Sequence, residues 1–147
     1  MIKQVLTTSF ISLSVGFITE LFNIWVGSKF LDGFFESNLI TILVALLAVN
    51  AATMGIVLTK MRDLIDKNGN AEAFTKTRCN MLLSIKEQIG LIILATIVLS
   101  IKSAPAVQSI ENMPLLLNSL VTGIFVYALL VLYDTAKGVL VIVDFNG

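Results

Sequence analysis

The chain has 147 residues, 56% of them hydrophobic and 14% charged, far from a soluble average in which apolar residues make up roughly half and charged residues roughly a quarter. Ten basic residues balance ten acidic ones, so no global field favours nucleic acid, and the base-stacking aromatics interleaved with arginine that single-strand binders use are missing. Cys79 is the only cysteine and there is no histidine, which excludes an intramolecular disulfide, disfavours zinc and redox sites, and removes the usual acid–base side chain.

A mean hydropathy of +0.93 points to lipid as the solvent. The expectation is an all-α polytopic membrane protein, non-enzymatic and without a cofactor. A helix rises about 1.5 Å per residue and a hydrocarbon core is about 30 Å thick, so a span needs roughly 20 apolar residues. Four spans meet or approach this, at about 5–26, 39–59, 81–102 and 114–136. They form a single membrane domain over residues 1–147, with a helical hairpin over 60–88 between the second and third.

Lys3 ahead of an apolar run has the form of a signal peptide's first two regions, but no small-x-small cleavage site follows, so the segment is expected to be retained as the first span. Within it Ser9, Ser12, Gly16, Glu20 and Asn23 succeed one another at steps of three or four, a polar stripe on one helix face. Lipid does not tolerate such a stripe, and an intramembrane glutamate is expensive, so the stripe should face other helices or water, with Glu20 a candidate for a structural, ion, proton or substrate role. Trp25, Phe30, Phe34 and Phe35 then gather at the outer interface, where aromatic rings prefer to sit. Asp32 and Glu36 are expected to keep the first connection wet.

In the second span Ala45, Ala48, Ala52 and Gly55, flanked by Thr41 and Thr59, make a ridge of small residues that permits close helix packing, within the chain or between copies. Asn50 with Thr53, and Asn118 with Thr122 in the fourth span, are polar pairs of the kind that join helices by hydrogen bonds. Past Thr59 the apolar stripe continues through Met61, Leu64 and Ile65, and the charges Arg62/Asp66 and Asp63/Lys67 stand at i,i+4. The helix should therefore leave the membrane, reverse at Asn68-Gly69-Asn70 and return as an amphipathic helix into the third span. Arg62, Lys67, Lys76 and Arg78 are the candidate partner-docking residues of this hairpin. The alternative is that it packs on itself and its charges only solvate it.

Lys86 and Asp134 fall at similar depth and are expected to pair. Pro114 suits the first turn of the fourth helix. Residues 138–143 read as either helix or a short strand. Four crossings put Lys3, Lys137 and six central bases on one side against Lys29 and Lys102 on the other, so both termini are expected in the cytoplasm. The chain holds no Asn-x-Ser/Thr acceptor, which fits a bacterial inner membrane.

In architecture, four short spans and a cytoplasmic hairpin, the chain resembles a KwaA-like four-span membrane subunit of the Kiwa bacterial anti-phage system. That resemblance implies a subunit that senses membrane events and works with a cytosolic partner. Glu20 in the first of four spans is similar to the small multidrug resistance family and implies proton-coupled export, although the long 60–88 hairpin departs from that family's tight loops. The leading expectation is a homo-oligomer, dimer to tetramer, that contacts membrane lipid and holds a cytosolic protein partner, with no nucleic acid. The alternatives are an oligomeric pore lined by the Ser9 to Asn23 stripe and a small proton-coupled transporter.

Overall fold

The computed structural model describes residues 2–68 and 74–143, with side chains at 3–66 and 74–140. Five helices follow in order: α1 (Ile2–Val26), α2 (Phe30–Asn68), α3 (Thr75–Lys102), α4 (Pro105–Gln108) and α5 (Met113–Val143). Four of these, all but the one-turn α4, are long and apolar enough to cross a membrane. The protein is an all-α four-helix membrane protein.

The helix ends follow local chemistry. Gly27 stops α1 with a left-handed φ of 71°. Its N–H bonds the Ile24 carbonyl at 3.1 Å and the Ser28 N–H bonds the Asn23 carbonyl at 2.9 Å, the paired bonds of a Schellman stop. The Ser28 hydroxyl then accepts the Phe30 N–H at 3.2 Å and caps α2. The first connection is thus only residues 27–29. The longer wet loop expected up to residue 38 is instead the first turns of α2, which runs 39 residues. At the opposite corner Ala104 is extended, as a residue before proline must be, and Pro105 opens α4. Asn112 turns the chain at φ 66° before α5, and Pro114 lies in the first turn of α5. The helix continues through Val143, so residues 138–143 are helical. The proposed reversal at Asn68-Gly69-Asn70 falls largely outside the described residues.

α5 is the central helix and packs on α1, α2 and α3. Half of its apolar window is buried, against about a fifth for the others. α2 buries Leu39, Leu43, Asn50, Met54, Val57 and Met61 with Leu46 half-buried between them, a seam of spacing three or four. The main core joins α2, α3 and α5, with Phe35, Leu43, Ala95, Val98, Val121 and Ala128 among its members. α1 adds no large side chain to that core. Its buried residues are Ser12, Gly16, Glu20 and Asn23, whereas Phe10 (74% exposed), Ile18 and Phe22 point outward. In water this would be inside out. In lipid it is the favourable arrangement, because small and polar residues carry helix association where the solvent is as apolar as leucine.

Candidate functional site

The stripe on α1 meets α5. Gly16 brings the two backbones so close that a Cβ there would lie 2.4 Å from the Ser119 carbonyl oxygen and 2.7 Å from the Gly123 nitrogen. Close approach lets short polar side chains reach across. Asn118 Nδ2 donates to Glu20 Oε1 at 3.0 Å, and Asn23 Nδ2 donates to Glu20 Oε2 at 3.4 Å. Glu20 is 8% exposed, with one amide donor on each carboxylate oxygen. Ser12 donates back to the Ser9 carbonyl at 3.0 Å, and Ser9 itself is half-buried beside a cleft between α1 and α3. Gly16, Glu20 and Asn23 therefore serve the α1–α5 contact, and Ser9 and Ser12 border the cleft at its edge. Ser119 and Gly123, four apart on α5, are the small partners of Gly16. Their spacing could have been read from the sequence beside the ridge on α2.

A second cluster joins α2 to α3 at the same end of the bundle. Lys102, 8% exposed, bonds Asp32 and lies 3.1 Å from Glu36 Oε1. Asp32 and Glu36 are one turn apart because α2 already begins at Phe30, so both reach one ammonium. The loop setting expected for them gives way to an interhelical clasp. Glu20, Asp32, Lys102 and Asn118 border one crevice with no room for a ligand. Beside it a cavity of about 310 Å³ lies between the clasp, Gln108 and Pro114. Phe30 stacks on Phe34 at 5.7 Å, and Phe35 reaches Phe125 on α5 at 5.3 Å, so the aromatic cluster pins the start of α2 to α5.

In the bundle's middle Asn50 Nδ2 donates to Gln88 Oε1 at 3.0 Å. This pair ties α2 to α3, whereas Thr53 turns back to its own helix by donating to the Val49 carbonyl at 2.8 Å. Asn50 Oδ1 and Gln88 Nε2 stay without a partner although both are buried.

Ala45, Ala48, Ala52 and Gly55 are all exposed, and a Cβ at Gly55 would meet nothing within 4 Å. The ridge therefore packs against no helix of the chain among the described residues. At the hairpin end Arg62, Lys76 and Arg78 are exposed, while the Lys67 side chain lies outside the described residues. Val57, Met61 and Phe74, with Leu64, Ile65, Met81 and Val139, form a small apolar cluster that closes α2, α3 and the end of α5 on one another. Arg62 and Asp66, though at i,i+4, form no ion pair; among the described residues only Lys102 has acidic partners.

The expected pairing of Lys86 with Asp134 does not form. Lys86 is exposed, and Asp134 Oδ2 accepts the Gln4 amide of α1 at 3.1 Å instead. One residue along α3 is a rotation of about 100°, which turns Glu87, not Lys86, toward the cleft that Asp134 lines. No protein-family model, no curated protein and no solved structure matches the chain. Among the described residues no group of three or more Cys, Asp or Glu side chains is placed to hold a metal ion.

Proposed function

We propose that this protein is a small non-enzymatic membrane subunit that assembles as a homo-oligomer through the outward ridge of α2 and presents its 60–88 hairpin to a cytosolic protein partner. The observation that carries the reading is the uncovered ridge. Small residues at helical spacing allow a second helix to approach closely, and Ala45, Ala48, Ala52 and Gly55 have no such helix in their own chain. The hairpin supports the second half of the reading: its apolar residues turn inward and leave Arg62, Lys76 and Arg78 exposed. Orientation with the hairpin in the cytoplasm follows the excess of bases at that end. A bacterial inner membrane and a KwaA-like part in anti-phage defence belong to the same proposal. The pore and transporter readings have less support, since both Glu20 oxygens already accept amide donors.

Disulfide trapping in native membranes tests the assembly. In a Cys79→Ser background, Ala48→Cys and Ala52→Cys should form dimers on oxidation, and Phe10→Cys on the lipid-facing side of α1 should not. Equal trapping at all three positions would refute the ridge as the interface. Affinity capture tests the partner: a soluble protein retained by the wild type should be lost when Arg62, Lys76 and Arg78 are all changed to glutamate. Retention by the triple variant would remove the docking surface.

A further inference from the structure

α1 and α3 both lie on α5, and between them a groove runs from the hairpin end into the middle of the bundle. Two cavities make it up, about 220 Å³ at the hairpin end and about 310 Å³ further in. Glu87 and Tyr127 line both and so mark the waist. Together the lobes fall within the roughly 300–1,000 Å³ of small-molecule sites. From Glu87 at the waist to Leu94 in the inner lobe, α3 rises about 10 Å, room for the first part of an alkyl chain below its head.

The two lobes differ in chemistry. The inner one is mostly apolar, with Leu13, Leu91, Leu120 and Ile124 among its walls and Ser9 and Ser12 at its α1 side. The outer one carries Gln4, Asn80, Glu87 and Asp134, with no lysine or arginine in its lining. Glu87 has no hydrogen-bond or ion-pair partner among the described residues. A carboxylate without a counter-charge beside lipid is costly, and a bound cation relieves that cost. Gly90 adds a second observation. It lines the inner lobe, and a Cβ there would meet nothing within 4 Å, so the missing side chain keeps the groove open.

We propose that this groove binds a cationic amphiphile, its apolar chain in the inner lobe and its ammonium head between Glu87 and Asp134. Charge complementarity selects the head, and the inner walls select a single chain. The proposal is independent of the oligomer and of the hairpin's partner.

The full-length protein in nanodiscs of zwitterionic lipid, tested by equilibrium dialysis against radiolabelled dodecyltrimethylammonium with empty nanodiscs as blank, should show saturable binding. Dodecylphosphocholine and dodecyl sulfate, with the same tail, should compete at least about tenfold more weakly, the ratio expected for loss of a charge-assisted contact. Glu87→Gln with Asp134→Asn should weaken binding by about tenfold or more. Gly90→Leu, which fills open space rather than a packed contact, should abolish it while the helical circular dichroism is unchanged. Binding no greater than to empty nanodiscs, equal competition by the three heads, or binding that survives Gly90→Leu or the double carboxylate variant would overturn the proposal.

Discussion

Gly16→Ala is the sharpest test of how α1 is held. The new Cβ would stand 2.4 Å from the Ser119 carbonyl oxygen and 2.7 Å from the Gly123 nitrogen. Both are backbone atoms, which cannot swing aside. Relief to ordinary contact requires α1 and α5 to part by about 1 Å, and overpacking of this kind costs about 1–3 kcal/mol. The same displacement stretches the 3.0 Å bond from Asn118 to Glu20 beyond hydrogen-bond range, for a further ~1 kcal/mol. The expected loss is about 2–4 kcal/mol. Gly123→Ala should be milder, under about 1 kcal/mol, because its nearest neighbours, Leu13 Cδ2 and the Ser12 carbonyl oxygen, both stand at 3.3 Å, a far smaller overlap. Gly33→Ala meets nothing within 4 Å and should be neutral or stabilising by up to ~1 kcal/mol, as alanine is the better helix former. Reversible unfolding in mixed dodecyl sulfate micelles, followed by the fluorescence of Trp25, gives the three values. A Gly16→Ala loss within about 0.5 kcal/mol of Gly33→Ala would refute the close α1–α5 crossing.

Asn50→Leu should cost about 1–2 kcal/mol by stranding Gln88, and Asn50→Leu with Gln88→Leu should recover most of it, since removing both partners leaves no orphan; a double variant less stable than the single would contradict this. Lys102→Met should destabilise by about 1–2 kcal/mol, less than a fully buried pair, because Asp32 and Glu36 are 39% and 53% exposed at the side chain; Lys102→Arg should retain most of the stability in the same assay. Lys86→Gln should change stability by less than about 0.5 kcal/mol, as an exposed position with no partner does. Gln4→Leu, by contrast, should cost about 0.5–1 kcal/mol by removing the donor to Asp134, a modest loss because both side chains are exposed. A reversed order for these two would restore the Lys86–Asp134 pairing.

Much of the architecture was legible along the chain because it depends on local composition. The four spans and the continuation of α2 to Asn68 follow from runs of apolar residues, and the stripe on α1 from spacing alone. The helical setting of Asp32 and Glu36 was not legible for a physical reason: the Schellman stop at Gly27 shortens the first connection and turns two apparent loop acids into helix residues facing Lys102. The expected pair of Lys86 with Asp134 failed because neighbouring residues on a helix face different ways, and only the packed bundle shows that Lys86 points outward while Asp134 takes the Gln4 amide. The small residues of the ridge on α2 were legible as a pattern, but only the structure shows that no described helix of the chain covers Ala45, Ala48, Ala52 and Gly55.

From composition alone came the solvent, the number of crossings and the helical class. In lipid every backbone polar group must be satisfied within the segment, so a long apolar run can only be a helix. The tertiary structure decided which faces meet. Lipid is as apolar as the interior, so an outward Phe10 at 74% exposure and an inward Phe35 at 4% carry the same sequence signal. Gly16 on Gly123, Asn118 on Glu20 and Lys102 on Asp32 are contacts between distant segments, and they set α5 at the centre and leave the groove beside Glu87 open.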